Sequence, residues 1–144
     1  MKTVAFYISD YGFGHASRSI AIIRELSQQY GEDLRMIICN SFAMDFLKES
    51  LTSYNVEFRK VNTDVGYVLQ NNSMKPDANE INHQYQAFMN DWEETLRVEK
   101  GFLKQNHVDL VISDISPLPF IPAKELNIPS IGVSNFTWYT AYKD

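Results

Sequence analysis

A chain of 144 residues, 44% hydrophobic and 22% charged, has the size and apolar content to bury one core, which excludes both two independent domains and a disordered chain. The net charge is −5 and the longest basic cluster is Arg59-Lys60, which excludes a nucleic-acid groove or an anionic membrane surface as the main partner, because both favour clustered Lys and Arg. Met1-Lys2-Thr3 runs straight into a short apolar stretch with no cleavage site, and no segment approaches the roughly 20 apolar residues of a membrane-spanning helix. With a lone cysteine, Cys39, there is no internal disulfide framework, so a reducing, cytoplasmic location is expected.

Residues 3–9, TVAFYIS, form a continuous apolar and β-branched run closed by Asp10, which predicts a strand buried on both faces. From 15 to 30, Ala16, Ile20, Ile23, Leu26 and Tyr30 recur at helical spacing, and Gly31 stands where a glycine ends a helix. LRMIIC, 34–39, predicts a second strand with Cys39 as a small buried hydrophobe in it, and Ser41 is placed to cap a helix carrying Phe42, Phe46, Leu47 and Leu51. VEFRKV, 56–61, predicts a third strand, while 62–76, with Gly66 and Pro76 and no single period, is expected to be a loop. Asp77 and Glu80 form an Asp-type capping box, and Ile81, Tyr85, Phe88, Trp92, Leu96 and Leu103 predict one long amphipathic helix ending near Gln105. DLVISD, 109–114, is a fourth strand; a short helix starts near Pro119; IPSIGVSN, 128–135, is a fifth strand, followed by the aromatic stretch FTWYTAY.

Strands alternating with helices predict an α/β fold, a Rossmann-like doubly wound parallel sheet of five strands in the order 3-2-1-4-5. In that order strands one and four are neighbours and the connections leaving their carboxyl ends diverge to opposite faces. A crevice opens there, and DYGFGHAS and SDISPLP meet at it.

The glycine loop departs from two familiar phosphate cradles. Ser17 occupies the third glycine position of a dinucleotide fingerprint and Asn40 stands where an acidic residue would end the second strand; no Gly-Lys-Ser/Thr triplet makes a P-loop. What remains is Gly12-x-Gly14-His15 at a helix N-terminus, where the glycines either serve a tight strand-to-helix turn or bring backbone amides close to an anionic ligand. His15 favours the second alternative. It falls in the first helical turn at the exposed edge of a central strand, where the helix dipole opposes imidazolium formation and keeps the ring able to accept a proton. Asp114, across the crevice, either caps the following turn or accepts the other ring N–H of His15, fixing its tautomer. Arg18, one turn on, either faces solvent or holds a phosphate or sugar hydroxyl. His83 and His107 fall at surface positions and no metal-ligand spacing links the three histidines, so no metal is expected.

GFGHASRSIAIIREL together with DLVISDISPLPFIPAKELNIPSIGVSNFTWYTAY resembles the N-terminal half of GT-B glycosyltransferases, the superfamily of UDP-glycosyltransferases and MurG-like enzymes. It is most similar to the G-x-G-H-A-x-R group that also appears at the N-terminus of arabinokinase-like proteins. The resemblance implies that residues 1–144 are a single GT-B N-terminal Rossmann-like domain without the C-terminal donor-binding domain. It implies that His15 deprotonates an acceptor hydroxyl with Asp114 as its partner, that Gly12 and Gly14 approach the substrate phosphates, and that Asn135, Phe136 and Trp138 line the interdomain cleft. The function it implies is inverting, metal-independent transfer from a UDP- or dTDP-linked sugar, a co-substrate rather than a cofactor, to a small-molecule or lipid acceptor. The chain alone is expected to be inactive, its partners being its own donor domain or a second copy. Two alternatives stand beside this: a non-catalytic sugar- or anion-binding module of a larger protein, for example fused to a sugar kinase, and an NDP-sugar 2-epimerase, which would need additional carboxylates. Tyr67, Phe88, Trp92, Phe136, Trp138 and Tyr139 could line an apolar acceptor pocket, though core packing is the simpler role for most of them.

Overall fold

The computed structural model describes residues 1–10, 14–63 and 78–133, with the side chains of Ile81, Gln84 and Phe88 also outside the description. Five strands, β1 (Lys2–Ile8), β2 (Leu34–Asn40), β3 (Val56–Lys60), β4 (Leu110–Asp114) and β5 (Ser130–Val133), form one sheet in the order β3-β2-β1-β4-β5. Every pairing is parallel. The helices are α1 (Gly14–Tyr30), α2 (Met44–Ser50), α3 (Ala78–Asn90), α4 (Trp92–Gln105) and α5 (Phe120–Glu125).

β1 sits between β2 and β4, and six of its seven residues are buried. A strand covered on both faces has no polar side to present, which is why its sequence reads as an unbroken apolar run. Its side chains divide by parity between two cores. Val4, Phe6 and Ile8 pack with Ile20 and Ile23 of α1 and Leu47 of α2 on one face; Ala5 and Tyr7 pack with Leu103 of α4, Val108, and Ala123 of α5 on the other. The connections leaving β1 and β4 therefore go to opposite faces, the topological switch point at which the order of the strands reverses. Gly31 closes α1 with φ +53, the left-handed conformation that glycine adopts without a Cβ penalty.

Two local expectations are corrected. The single helix expected up to residue 105 is two, interrupted at Asp91, where φ −100 and ψ 12 leave the helical region. Asn90-Asp91 is a pair of weak helix formers, and the break separates α4, which buries Glu99 and Leu103 against the sheet, from α3, whose described side chains are exposed. Ser41 does not cap α2. Its hydroxyl donates to Asn62 Oδ1 at 3.0 Å, and the amides before the helix go elsewhere: those of Ser41 and Phe42 donate to Asp10 Oδ1, and that of Ala43 donates to Asn40 Oδ1. Asp77 lies outside the described residues. Among the described residues no helix is long and apolar enough to cross a membrane.

On the α4 side the core holds a charged network. Arg59 donates to both carboxylate oxygens of buried Glu99 at 2.9 and 2.7 Å, Tyr7 donates its hydroxyl to Glu99 Oε2 at 2.5 Å, and the guanidinium lies 3.9 Å from the centroid of the Phe102 ring. Burial pushes the Tyr7 hydroxyl far above its ordinary range, helped by the neighbouring Cys39 and Glu99, so it stays a donor. Removing the shared acceptor orphans both donors at once. Glu99→Ala is expected to lower the unfolding free energy by about 3–5 kcal/mol, read by urea denaturation; a loss smaller than ~1 kcal/mol would show that α4 is held by apolar contacts alone.

Candidate active site

β1 ends and α1 begins at the crevice, and β4 ends beside them. Ile8 is in register with Asp114, and the Ser9 amide donates to the Asp114 carbonyl at 3.1 Å. Within β4, Asp114 shares the face of Ile112, the face covered by α1, so its side chain runs under the first turns of that helix.

The carboxylate has no exposed side-chain surface, and four contacts from α1 converge on it. His15 Nδ1 lies 3.2 Å from Oδ1, Arg18 Nε donates to Oδ2 at 3.1 Å and its Nη2 to Oδ1, and the Ser19 hydroxyl donates to Oδ2 at 2.8 Å. Burial works to raise the Asp114 pKa, but the hydrogen bonds from His15, Arg18 and Ser19, with the charge of Arg18, outweigh it and hold the carboxyl below its ordinary value. The His15 side chain keeps 14% of its surface exposed, so the ring bridges a buried anion and the crevice.

Helical spacing explains why one helix supplies all four contacts. Residues 15, 18 and 19 are separated by three and four positions and lie on one stripe, together with the apolar residues Ala16, Ile20 and Ile23 that seat α1 on the sheet. The residue after the carboxylate is strained. Ile115 has φ +71, a conformation that costs a β-branched residue about 1–2 kcal/mol. Its amide donates to the Val133 carbonyl at 3.1 Å, and strain of this kind gathers at ligand clamps and catalytic turns.

A second polar chain ties the rim of the crevice together. Asp10 accepts the amides of Ser41, Phe42 and Thr63; Thr63 donates its hydroxyl to the Ile8 carbonyl at 2.6 Å; and Ser113 donates to the Ser116 carbonyl, also at 2.6 Å. The Ser116 hydroxyl in turn donates to the Thr63 carbonyl at 2.5 Å, so the turns after β1, β2, β3 and β4 are fixed to one another.

The structure brings together His15, Arg18 and Asp114. Arg18 is turned onto Asp114 rather than out into solvent. Gly14 opens α1, and a Cβ added there would meet nothing within 4 Å among the described residues. Gly12, Asn135, Phe136 and Trp138 lie outside the described residues, as do Tyr67, Tyr139 and the side chain of Phe88, while Trp92 packs against the second core. His83 and His107 are exposed. Among the described residues no group of three or more His, Cys, Asp or Glu is placed to hold a metal ion. Sequence reasoning missed Ser19, whose signal was its position four residues after His15 on the buried stripe.

Comparison with known proteins decides the family. A model described as Glycosyl transferase family 1 matches residues 2–143. The chain belongs to glycosyl transferase family 1. Among relatives of this family-1 domain, an L-arabinokinase from Arabidopsis thaliana is 30% identical over 142 residues, which are 97% of this chain and 13% of that protein. Among solved structures, MurG from Acinetobacter baumannii aligns with TM-score 0.55 and 18% identity over 93% of this chain and 35% of its own. A UGT transferase from Siraitia grosvenorii, in complex with UDP, aligns with TM-score 0.57 and 16% identity over 92% of this chain and 27% of its own. These likenesses match the GT-B, Rossmann-like architecture, and the family-1 chain spans about a third of each such structure.

The buried carboxylate predicts an acid-sensitive fold. An aspartate whose folded pKa is depressed contributes stability above its unfolded value, about 3.9, and loses it as pH falls through the folded value. The urea midpoint of the unaltered chain is expected to fall more steeply below about pH 4 than that of Asp114→Asn; parallel curves would show that Asp114 carries no differential ionisation.

Proposed function

We propose that this chain is the acceptor-side half of an inverting, metal-independent glycosyltransferase that uses a UDP- or dTDP-linked sugar, with His15 as general base and Asp114 as its partner. The observation that carries the proposal is the 3.2 Å contact between a partly exposed imidazole and a wholly buried carboxylate at the switch point of the sheet. Membership in glycosyl transferase family 1 supports the reaction class.

With Nδ1 committed to Asp114, the proton-accepting atom is Nε2. As the acceptor oxygen bonds to the anomeric carbon of the donor, its proton passes to Nε2 and the bond from that carbon to the leaving diphosphate breaks, the electron pair departing with the diphosphate. Asp114 stabilises the imidazolium so formed, and the proton returns to water after release of the product. Gly12 and Gly14 belong to the loop assigned to the substrate phosphates, and the lack of any described residue within 4 Å of a Cβ at Gly14 supports such an approach. Asn135, Phe136 and Trp138 are assigned to the cleft where acceptor and donor meet. The acceptor is a small molecule or a lipid.

The donor belongs to a second domain, whose helix dipoles steady the leaving diphosphate without a metal. On this reading residues 1–144 by themselves transfer no sugar, and a cytoplasmic, reducing location fits the lone cysteine. A homodimer would form through the face that the donor domain otherwise covers.

A second reading is favoured by the 30% identity to an arabinokinase: a sugar- or anion-binding module within a larger polypeptide. The two are separated by assaying the natural polypeptide that carries these residues with a donor-binding domain. In the transferase, His15→Ala reduces turnover about 10²- to 10⁴-fold, the loss associated with removing a positioned base. An undiminished rate removes His15 from the chemistry, and binding of sugar without any transfer supports the module.

A further inference from the structure

Arg18 stands beside the proposed base without needing to touch a substrate. Its guanidinium forks onto Asp114, Nε to Oδ2 at 3.1 Å and Nη2 to Oδ1, the planar two-pronged geometry in which arginine holds carboxylates most strongly. Nη2 also lies 3.3 Å from His15 Nδ1, so the ring nitrogen and the guanidinium share Oδ1. Ser19 completes the seat with its 2.8 Å donation to Oδ2.

We propose that Arg18 is a positioning residue, the counter-charge that neutralises and orients Asp114 so that the His15–Asp114–Arg18 cluster rests with no net charge and the His15 ring meets its acceptor unprotonated. This deepens the transferase reading and rests on it for its catalytic meaning.

The argument is one of charge count. A buried aspartate facing a histidine alone favours an imidazolium, because one proton on the ring turns a buried anion into an ion pair. A base already protonated at rest accepts nothing. With Arg18 in place the anion is paired before the ring is considered, and a proton on His15 would set two cations about 3.3 Å apart over one carboxylate. Among the described residues, the charged groups in contact with the ring at Nδ1 are Arg18 from its own helix and Asp114 from β4, while Asp10, after β1, accepts the amides of Ser41, Phe42 and Thr63. The same contacts select the tautomer. Nη2 carries a second hydrogen that could reach Nδ1 at 3.3 Å, but Nδ1–H donated to the charged oxygen at 3.2 Å is the shorter contact and does not set a ring lone pair against a donor already shared with Oδ1, and it leaves the lone pair on Nε2.

The test is a nuclear magnetic resonance titration of the His15 ring in the 144-residue chain, with Arg18→Gln, Arg18→Lys and Asp114→Asn compared with the unaltered protein. Arg18→Gln is expected to move the midpoint of ring protonation up by about one pH unit, the size of effect that a neighbouring charge exerts at such range. Arg18→Lys, which keeps the charge and gives up the fork, should restore most of the original midpoint. Asp114→Asn moves it down, because Arg18 then faces the ring with no carboxylate between them; this reads the same electrostatics if Arg18→Gln does not fold. A midpoint unmoved or lowered by Arg18→Gln, or raised by Asp114→Asn, overturns the proposal. In the transferase carrying a donor domain, the acid limb of kcat/KM should rise with Arg18→Gln while the KM for the donor stays put; a raised KM with an unmoved acid limb makes Arg18 a substrate ligand instead. Shifted ring titrations with no sugar transfer leave the role of Arg18 standing and remove the transferase, whereas normal transfer with unshifted titrations does the reverse.

Discussion

A carboxylate with no exposed surface cannot remain ionised at the end of a strand unless donors are brought to it, and in this domain the first turns of α1 bring them. Much else follows from that requirement. The helix must begin at Gly14 so that residues 15, 18 and 19 reach the end of β4, and the sheet must place β1 next to β4 so that helix and carboxylate come from neighbouring strands. The apolar stripe of α1 and its polar contacts to Asp114 occupy one side of the helix, so packing and site assembly are a single event. The strained Ile115 marks where the chain turns away from the carboxylate.

The same chemical device occurs twice. Glu99 in the core is held by the fork of Arg59 and a hydroxyl from Tyr7; Asp114 at the crevice is held by the fork of Arg18 and a hydroxyl from Ser19. The difference is a histidine. In the core the third neighbour is the buried thiol of Cys39, and the network fixes α4 to the sheet. At the end of β4 the third neighbour is the partly exposed ring of His15, the group on which the proposed proton transfer rests.

Strand order was legible in the sequence because each unit is written locally: an unbroken apolar run, a turn residue, a helical stripe. The positions of His15 and Asp114 at one crevice followed from that order alone. What could not be read depended on contacts between distant residues. Arg18 sits 96 positions from the carboxylate it holds, and an arginine in a first helical turn has no local mark distinguishing solvent, ligand or counter-ion. Ser19 looks like a tolerated small residue until its partner is in place. The interruption at Asp91 was hidden because Phe88, Trp92 and Leu96 continue the same period through it. Ser41 is a good helix cap by type, and it is not one because Asp10 and Asn40 reach the amides first.

Cys39 closes off a practical question. Its thiol is buried in β2, and burial, against the opposing influence of Arg59, pushes it up to about 12, so at neutral pH it is neither ionised nor reachable. In the folded 144-residue chain Cys39 is therefore expected to react slowly with maleimides and similar electrophiles, so that a cysteine introduced on an exposed turn can take a fluorophore or spin label without first deleting the natural one.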